Sequence, residues 1–281
     1  MRSTFLNRLR HDLIPNLHRL VRLIKREGIV SAWRKGWPYL KWRMAGEIQL
    51  RDLAKTKSVE ERFTKIYRWN FWQAADSKSG PGSSLPDTEN LRRNLPAIFD
   101  KFGIRTKLDA PCGDFYWMKH VVVQSKVVYI GGDIVRPMIE QNTARHANDR
   151  TSFVHLDITK GPLPKADLWF CRDCFFHLSL ADIFRALHCF VDSGIPYVMA
   201  SSLTGVAEPK NHDILSGDFR QVDLFAAPFL FPPDVLFRVD DFAPGEVSSR
   251  EMCLWSRDQV IASLAASSVL APTIEGNAAT C

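Results

Sequence analysis

Strand-like and helix-like segments alternate from residue 105 onward, and this alternation constrains the fold more than any other feature of the sequence. Strands that are joined through helices pair in parallel, because a parallel pair needs a long crossover connection. The sequence therefore predicts a doubly wound, Rossmann-like α/β domain. The predicted strands are Lys107–Ala110, Val127–Gly131, Ser152–Leu156, Leu168–Cys171, Tyr197–Ser201, Leu236–Phe242 and Met252–Ser256. The predicted helices between them are Phe115–Gln124, Arg136–Ala147 and Leu180–Val191.

The rest of the chain divides by composition into three further segments. Residues 1–60 carry leucines at helical spacing among basic residues, which predicts a basic helical N-terminal extension. Residues 61–104 contain an aromatic and Ser/Gly/Pro-rich loop followed by a helix that Thr88 begins and Gly103 ends. The α/β domain is predicted over 105–264, and 265–281 is predicted to be a flexible tail.

Positive charge is concentrated in the N-terminal extension. Of 37 Lys/Arg and 31 Asp/Glu, 14 and 4 lie in residues 1–57, so the rest of the chain is net acidic. The extension is interpreted either as a peripheral membrane or protein contact, or as a helical cap with solvated basic residues. A grip on nucleic acid by the α/β domain is not favoured. The sequence shows neither a secretory signal nor a long apolar run, so we expect a cytoplasmic protein, with peripheral membrane association left open.

The six cysteines are expected to be free thiols, and no metal site is predicted. Cys171 and Cys174 form a lone C-x-x-C pair. A zinc site would need two further ligands at comparable spacing, and the sequence supplies none.

Acidic residues stand at the end of four successive predicted strands: Asp109, Asp133, Asp157 and Asp173. In an open parallel sheet, ligands bind at this edge. Asp133 follows Asp109 by 24 residues, where a carboxylate can accept hydrogen bonds from ribose hydroxyls. Each position alone has an ordinary alternative, and for Asp157 that alternative is a helix cap. Their order along the chain favours a ligand site.

Residues 105–203 resemble the core of the class I S-adenosylmethionine-dependent methyltransferases. "LDAPCGDF", "GGDIV", "LDIT" and "ADLWFCRDCFFHLS" look like the first four motifs of that family. The resemblance implies a seven-stranded sheet with the last strand antiparallel, and S-adenosylmethionine as cofactor. The cofactor contacts that it implies on this sheet edge are Asp109, Pro111, Cys112, Gly113, Asp114, Asp133, Ile134, Asp157, Ile158 and Arg172.

The first motif departs from the common D-x-G-x-G-x-G pattern, because only Gly113 remains and Pro111 and Phe115 replace the other glycines. "SKSGPGSSL", preceded by "WNFW", resembles a bacterial branch of the family. In that branch we expect this segment to form a lid over the cofactor, with contacts from Trp72, Ser79 and Gly82.

Methyl transfer from a sulfonium needs mainly in-line positioning. Aromatic faces attract a sulfonium, which gives Trp69, Trp72 and Trp117 a cofactor role as an alternative to core packing. Where the acceptor must lose a proton, Asp173 and His177 are the predicted catalytic residues. A structural histidine is the alternative for His177.

The acceptor is predicted to contact Asn211, Asp213 and Arg220 in the polar segment after the fifth strand, and the alternative is a solvated loop with local capping bonds. We expect methylation of oxygen or nitrogen on a small molecule or glycan. Two alternatives stay open: a catalytically silent binding module, and a nucleic-acid methyltransferase that uses the basic extension. A dehydrogenase or P-loop enzyme is not favoured, because G-x-G-x-x-G and G-x-x-x-x-G-K-[ST] are absent.

Overall fold

The computed structural model describes residues 52–72, 76–203, 211–242 and 250–270. The chain divides into two compact units, Met1–Thr56 and Lys57–Cys281. Within the first unit only residues 52–56 are described, and residues 52–55 are helical. The predictions for the basic extension therefore lie almost entirely outside the described residues. In the described ranges, no helix combines the length and the apolar character needed to cross a membrane.

Seven strands of the described chain form one mixed sheet in the order β3-β2-β1-β4-β5-β7-β6. The strands β1 to β5 pair in parallel, whereas β7 runs antiparallel to both β5 and β6. This confirms the predicted seven-stranded Rossmann-like sheet with an antiparallel last strand. The strands are β1 Thr106–Asp109, β2 Val128–Asp133, β3 Thr151–His155, β4 Leu168–Cys171, β5 Tyr197–Leu203, β6 Phe237–Asp240 and β7 Arg250–Ser256.

Helices pack on both faces of this sheet. The helices that the structure describes in the second unit are α1 Val59–Trp69, α2 Glu89–Phe102, α3 Met118–Gln124, α4 Arg136–His146, α5 Leu180–Ser193 and α6 Arg257–Leu270, with short 3-10 turns at Pro81–Ser83 and Phe175–His177. Alternate residues of each buried strand serve opposite faces, as Trp169 and Phe170 do in β4. One face packs mainly against α5 and α6, and the other against α2 and α3.

Most element boundaries differ from the predicted ones by one to a few residues, and three differences at helix ends stand out. Helix α3 begins at Met118, because Phe115 adopts the left-handed conformation (φ 57°) and cannot start a helix. Thr88 precedes α2 but does not cap it, since its hydroxyl donates to the Ser84 carbonyl oxygen. Helix α6 continues to Leu270, so the boundary predicted at residue 264 falls inside a helix; residues 271–281 lie outside the described ones.

The connection order explains where a ligand site can form. Strand β1 lies between β2 and β4, so the chain winds outward from β1 to β3 and then returns across β1 to β4. A topological switch point therefore falls between the carboxyl ends of β1 and β4. Loops diverge at such a point and leave a crevice for a ligand.

Ser179 caps α5, and replacing it should measurably destabilise the fold. Its hydroxyl oxygen accepts from the Asp182 backbone N–H at 3.1 Å. Ser179→Ala should lower the free energy of unfolding by about 1 kcal/mol, because a helix N-cap of this type contributes that much. Urea unfolding measures the loss, and Ser179→Thr, which keeps the hydroxyl, should recover most of it. Equal stability of wild type and Ser179→Ala would contradict the capping role.

Candidate functional site at the carboxyl edge of the sheet

The predicted acidic strand ends do lie along one edge of the sheet. Asp109 ends β1 and Asp133 ends β2, and these strands are neighbours in register. Arg172 and Asp173 directly follow β4, on the other side of β1. Asp157 follows β3, the outermost strand of this half of the sheet. The structure therefore brings the residues of the first, second and fourth motifs together around the switch point.

Asp133 is tied to the glycine turn after β1. Its Oδ2 accepts from the Gly113 N–H at 3.2 Å, and its Oδ1 accepts from the Val135 N–H at 2.9 Å. Burial raises the pKa of Asp133 to about 6, although the two backbone N–H groups oppose the rise. Each carboxylate oxygen keeps a second lone pair, so Asp133 can still accept hydrogen bonds from the hydroxyls of a ligand.

Gly113 is required because the segment before α2 packs directly on it. It has a left-handed φ of 56°, and a Cβ there would lie 2.2 Å from the Ser79 Oγ. Its carbonyl oxygen accepts from the Asn142 side-chain amide of α4 at 2.8 Å. The turn is thus fixed from both sides by residues distant in sequence. We call residues 77–83 the lid segment from here on.

Asp114 fastens the lid segment to the turn. Its carboxylate accepts from the Ser77 hydroxyl and the Lys78 N–H, both at 2.9 Å, and from the Ser79 hydroxyl at 3.2 Å. The Ser79 oxygen in turn accepts from the Asp114 N–H at 2.9 Å. These bonds favour a role in lid attachment for Asp114 over the cofactor contact predicted for it.

The other end of the lid segment contacts the β4 side of the site. The Gly82 carbonyl oxygen accepts from Arg172 Nη2 at 2.8 Å. A Cβ on Gly82 would lie 3.1 Å from Arg250 Nη1 and 3.3 Å from Asp173 Oδ2, so only glycine fits without displacement. The lid segment therefore connects the β1 turn with the residues that follow β4.

Arg172, one of the cofactor contacts that the resemblance implies, lies in a buried ion pair. Its Nε and Nη2 donate to the Asp241 carboxylate at 2.9 Å, and its guanidinium lies 5.5 Å from the Trp117 ring centroid. Burial alone would lower the pKa of Arg172, but Asp173 and Asp241 raise it above its usual value. All three guanidinium nitrogens of Arg172 contact groups of the protein itself, which favours a positioning role for Arg172.

Asp173 is held by three side chains. The Ser201 hydroxyl donates to its Oδ1 at 3.3 Å, and Arg250 Nη1 and Arg172 Nη1 lie 3.2 and 3.4 Å from its Oδ2. Burial alone would raise the pKa of Asp173, but the two guanidiniums override it and the pKa is lowered. A carboxylate with a lowered pKa is a weak proton acceptor. This environment disfavours the predicted role of Asp173 as a general base.

His177 is better suited to accept a proton. Its Nδ1 lies 2.9 Å from the Asp218 carbonyl oxygen, which can only accept, so Nδ1 carries the hydrogen. Burial lowers the pKa of His177, so the ring is neutral at physiological pH and Nε2 bears a lone pair. The Trp72 ring lies 5.2 Å away, centroid to centroid. His177 thus lies against Trp72, which precedes the lid segment by five residues.

Asp109 belongs to a buried charge cluster beneath the turn. Tyr129 donates to its Oδ2 at 2.8 Å, and Lys107 Nζ lies 3.7 Å from the same oxygen. Lys107 is completely buried, with the Phe170 ring centroid 4.7 Å from its Nζ. Burial lowers the pKa of Lys107 to about 8, while Asp109 opposes the shift. Asp109 is the last residue of β1 and so lies at the ligand edge, but the contacts of its carboxylate are with residues of the core.

The remaining predicted cofactor contacts lie close to this edge with mainly local bonds. Asp157 Oδ1 accepts from the Thr159 N–H and hydroxyl at 3.0 and 2.7 Å, so the local-cap alternative describes its contacts. Ile158 is buried after it, and Ile134 follows Asp133. Cys112 donates its N–H to the Gly132 carbonyl oxygen at 2.9 Å, which holds the Pro111–Cys112 part of the turn against β2.

Two predicted acceptor contacts serve the backbone instead. Asn211 is buried, and its amide donates to the carbonyl oxygens of Asp223 and Ala227, both at 2.8 Å, while its Oδ1 accepts from the Asp223 N–H. Asp213 accepts from the Leu180 N–H at 2.7 Å, which satisfies a free amide at the start of α5. The structure therefore favours the capping alternative for both. Arg220 is different and is considered below.

Of the three tryptophans, Trp72 alone contacts a predicted catalytic residue. Trp117 is buried, with its ring 6.1 Å from Phe170, and thus packs in the core. Trp69 ends α1. Trp72 thus lies against the predicted base, whereas Trp117 is a buried ring beside Arg172.

The sequence analysis missed four residues that shape the site: Lys107, Asp241, Arg250 and Ser201. Lys107 precedes Asp109 by two residues, so strand alternation could have placed both on one face. Asp241 directly follows β6 and repeats the pattern of an acidic strand end. Ser201 and Arg250 carry no local pattern, and their role follows from the pairing of β5 with β7.

Comparisons with known proteins identify the fold. No protein-family model matches the chain, and no curated protein is similar to it in sequence. Human N-acetylserotonin methyltransferase, solved in complex with SAM, matches with a TM-score of 0.51 and 14% identity, over 85% of this chain and 69% of that one. A SAM-dependent methyltransferase from Leishmania major matches with a TM-score of 0.53 and 15% identity, over 71% and 87%. The chain thus has the class I methyltransferase fold.

Replacing Lys107, the buried cation beside Asp109, should lower the free energy of unfolding. Lys107→Met should lower the free energy of unfolding by about 3–5 kcal/mol near neutral pH, because it leaves a buried carboxylate without its counter-charge. The loss should shrink at lower pH as Asp109 takes up a proton. Urea unfolding measures both effects, and the double variant Lys107→Met/Asp109→Asn should recover much of the loss. Equal stability of the single and double variants would contradict the pairing.

Proposed function

We propose that this protein is an S-adenosylmethionine-dependent methyltransferase that methylates oxygen or nitrogen of a small-molecule or glycan acceptor. The observation that carries the proposal is Asp133, a buried carboxylate at the end of β2 that is bonded to the glycine turn after β1. The resemblance of the four motifs to that family, and to its bacterial branch through the lid segment, supports the same conclusion.

The residues at this edge fit such a cofactor. Asp133 keeps lone pairs for the two ribose hydroxyls, and Ile134 and Ile158 provide apolar surface for the adenine. The Gly113 turn and Asp109 lie where the methionine part would bind, and the acidic character of these strand ends suits its ammonium group. The lid segment, fastened by Asp114, closes over the turn through Ser79. When bound, the cofactor supplies a methyl group activated by a sulfonium.

The chain's own contribution to catalysis is positioning and proton transfer. Arg172, held by Asp241, fixes the lid segment through the Gly82 carbonyl oxygen and so sets the space between β1 and β4. His177 Nε2, which bears the lone pair, accepts the proton that an acceptor hydroxyl or amine must lose. Trp72, which packs beside Gly80 of the lid segment, lies against His177 and limits the access of water to it.

Calorimetric titration of S-adenosylhomocysteine tests the cofactor assignment. The wild type should bind it, and Asp133→Ala should weaken binding by about 1.5–3 kcal/mol, because two hydrogen bonds to a charged acceptor are lost. Asp149→Asn, which changes an exposed carboxylate before β3, should bind like the wild type. Failure of the folded wild type to bind would refute the proposal. Binding without methyl transfer to any acceptor would instead indicate a silent binding module.

The pH dependence of binding should follow the ionisation of Asp133. Its pKa is raised from 3.8 to about 6, so its protonation stabilises the fold at acid pH, and this contribution is lost as the pH rises through about 6. Ribose hydroxyls donate to the ionised carboxylate. The affinity for S-adenosylhomocysteine should therefore fall as the pH drops below about 6, by up to about tenfold per pH unit.

Titrations between about pH 5 and pH 8 measure this step. Asp133→Asn, which cannot ionise, should bind weakly without the step. A step that persists in Asp133→Asn would assign it to another group and contradict this prediction.

A further inference from the structure

Arg220 is a buried guanidinium beside the predicted base. Its side chain is 2% exposed. Its backbone N–H donates to the Phe176 carbonyl oxygen at 2.9 Å, and its Nη1 donates to the Leu178 carbonyl oxygen at 2.5 Å. These two bonds fall on the residues directly before and after His177. Arg220 is therefore anchored around the predicted base by its backbone and by one of its guanidinium nitrogens.

The other edge of this guanidinium has no protein partner. Its Nε and Nη2 are buried and make no hydrogen bond to any described residue. A guanidinium cannot be neutralised in a protein, so its buried donors have to be satisfied or they destabilise the fold. Burial lowers the pKa of Arg220, and only the charge of Asp213 opposes that shift among the described residues. Asp213, however, directs its Oδ1 to the backbone at the start of α5.

In Arg172, the same Nε and Nη2 edge of the guanidinium has a partner. Its Nε and Nη2 both donate to the carboxylate of Asp241, at 2.9 Å each. This is the side-on, two-donor geometry in which a guanidinium matches the planar oxygen pair of a carboxylate. Arg220 presents the same two nitrogens, buried in the same way, without the carboxylate.

We infer that Arg220 binds a carboxylate group of the methyl acceptor through Nε and Nη2, beside His177. The inference rests on the proposed function and narrows its acceptor to a class: a carboxylic acid whose hydroxyl or amine receives the methyl group. The carboxylate fixes the acceptor's orientation, and His177 takes the proton from the atom that is methylated. A carboxylate is favoured because it is the partner of the same guanidinium edge in Arg172. A phosphate can also form a two-donor bond with a guanidinium, so the binding of phosphate has to be compared with that of acetate.

The test uses acetate, which is small enough to reach a nearly buried group, with acetamide as its uncharged match. The thermal unfolding midpoint of the full chain is measured against acetate, acetamide, phosphate and chloride at constant ionic strength. Acetate should raise the midpoint saturably in the wild type, and acetamide and chloride should not. Arg220→Lys keeps the charge but lacks the two-nitrogen edge, so its apparent affinity for acetate should fall at least tenfold. Arg238→Gln, an exposed arginine paired with Glu251, is the matched control and should respond like the wild type.

Arg220→Met supplies a second readout. Replacing the guanidinium with an apolar side chain should abolish the acetate response, although it also removes the Nη1 bond to the Leu178 carbonyl oxygen. A wild type that acetate does not stabilise, a response to phosphate but not acetate, or an unchanged response in Arg220→Lys would overturn the inference. S-adenosylhomocysteine binding, measured on the same variants, should match the wild type. If the wild type does not bind S-adenosylhomocysteine, the proposed function is refuted, whereas the carboxylate site is not.

Discussion

The buried ion pair between Arg172 and Asp241 is the interaction on which the geometry of the site depends. It joins the residue after β4 to the residue after β6, and through Arg172 Nη2 it also holds the Gly82 carbonyl oxygen of the lid segment. Arg250 extends it to Asp173. A buried ion pair of this kind contributes little net stability, because desolvation offsets the attraction. Its value lies in geometry, since a guanidinium in a two-donor bond accepts only one orientation.

A second buried charge pair lies under the glycine turn, and it explains why Asp109 can be ionised in the core. The Tyr129 hydroxyl and Lys107 both face the same oxygen of Asp109. Burial raises the pKa of Asp109, and Lys107 and Tyr129 offset part of that rise. Burial lowers the pKa of Lys107, and three aromatic rings surround its ammonium group. The Asp109 carboxylate thus lies under the turn with partners that the core of the protein itself supplies.

The sequence predicted what local patterns encode and failed where residues distant in sequence combine. Strand and helix alternation predicted the sheet, because burial imposes those periods on each segment separately. It also predicted the strand-end position of Asp133. It could not predict that Asp114 fastens the lid segment, since 35 residues separate it from Ser79. Asn211 was assigned to the acceptor because it lies in a polar loop, but its left-handed φ of 51° and its three bonds to backbone groups show a turn-stabilising role.

Charge is distributed unevenly along the carboxyl edge of the sheet, and this distribution would orient the proposed cofactor and the acceptor differently. The ends of β1 and β2 carry Asp109 and Asp133, acidic residues that suit the ammonium group and the ribose hydroxyls of the proposed cofactor. Beyond β4, Arg220 offers two buried donors beside His177 and suits an anion. Burial is the main cause of the lowered pKa of His177, and the charge of Arg220 adds to it. An acceptor carboxylate on Arg220 would offset that charge and make His177 a stronger base once the acceptor is bound. Acceptor binding and proton transfer would then be coupled through a single guanidinium.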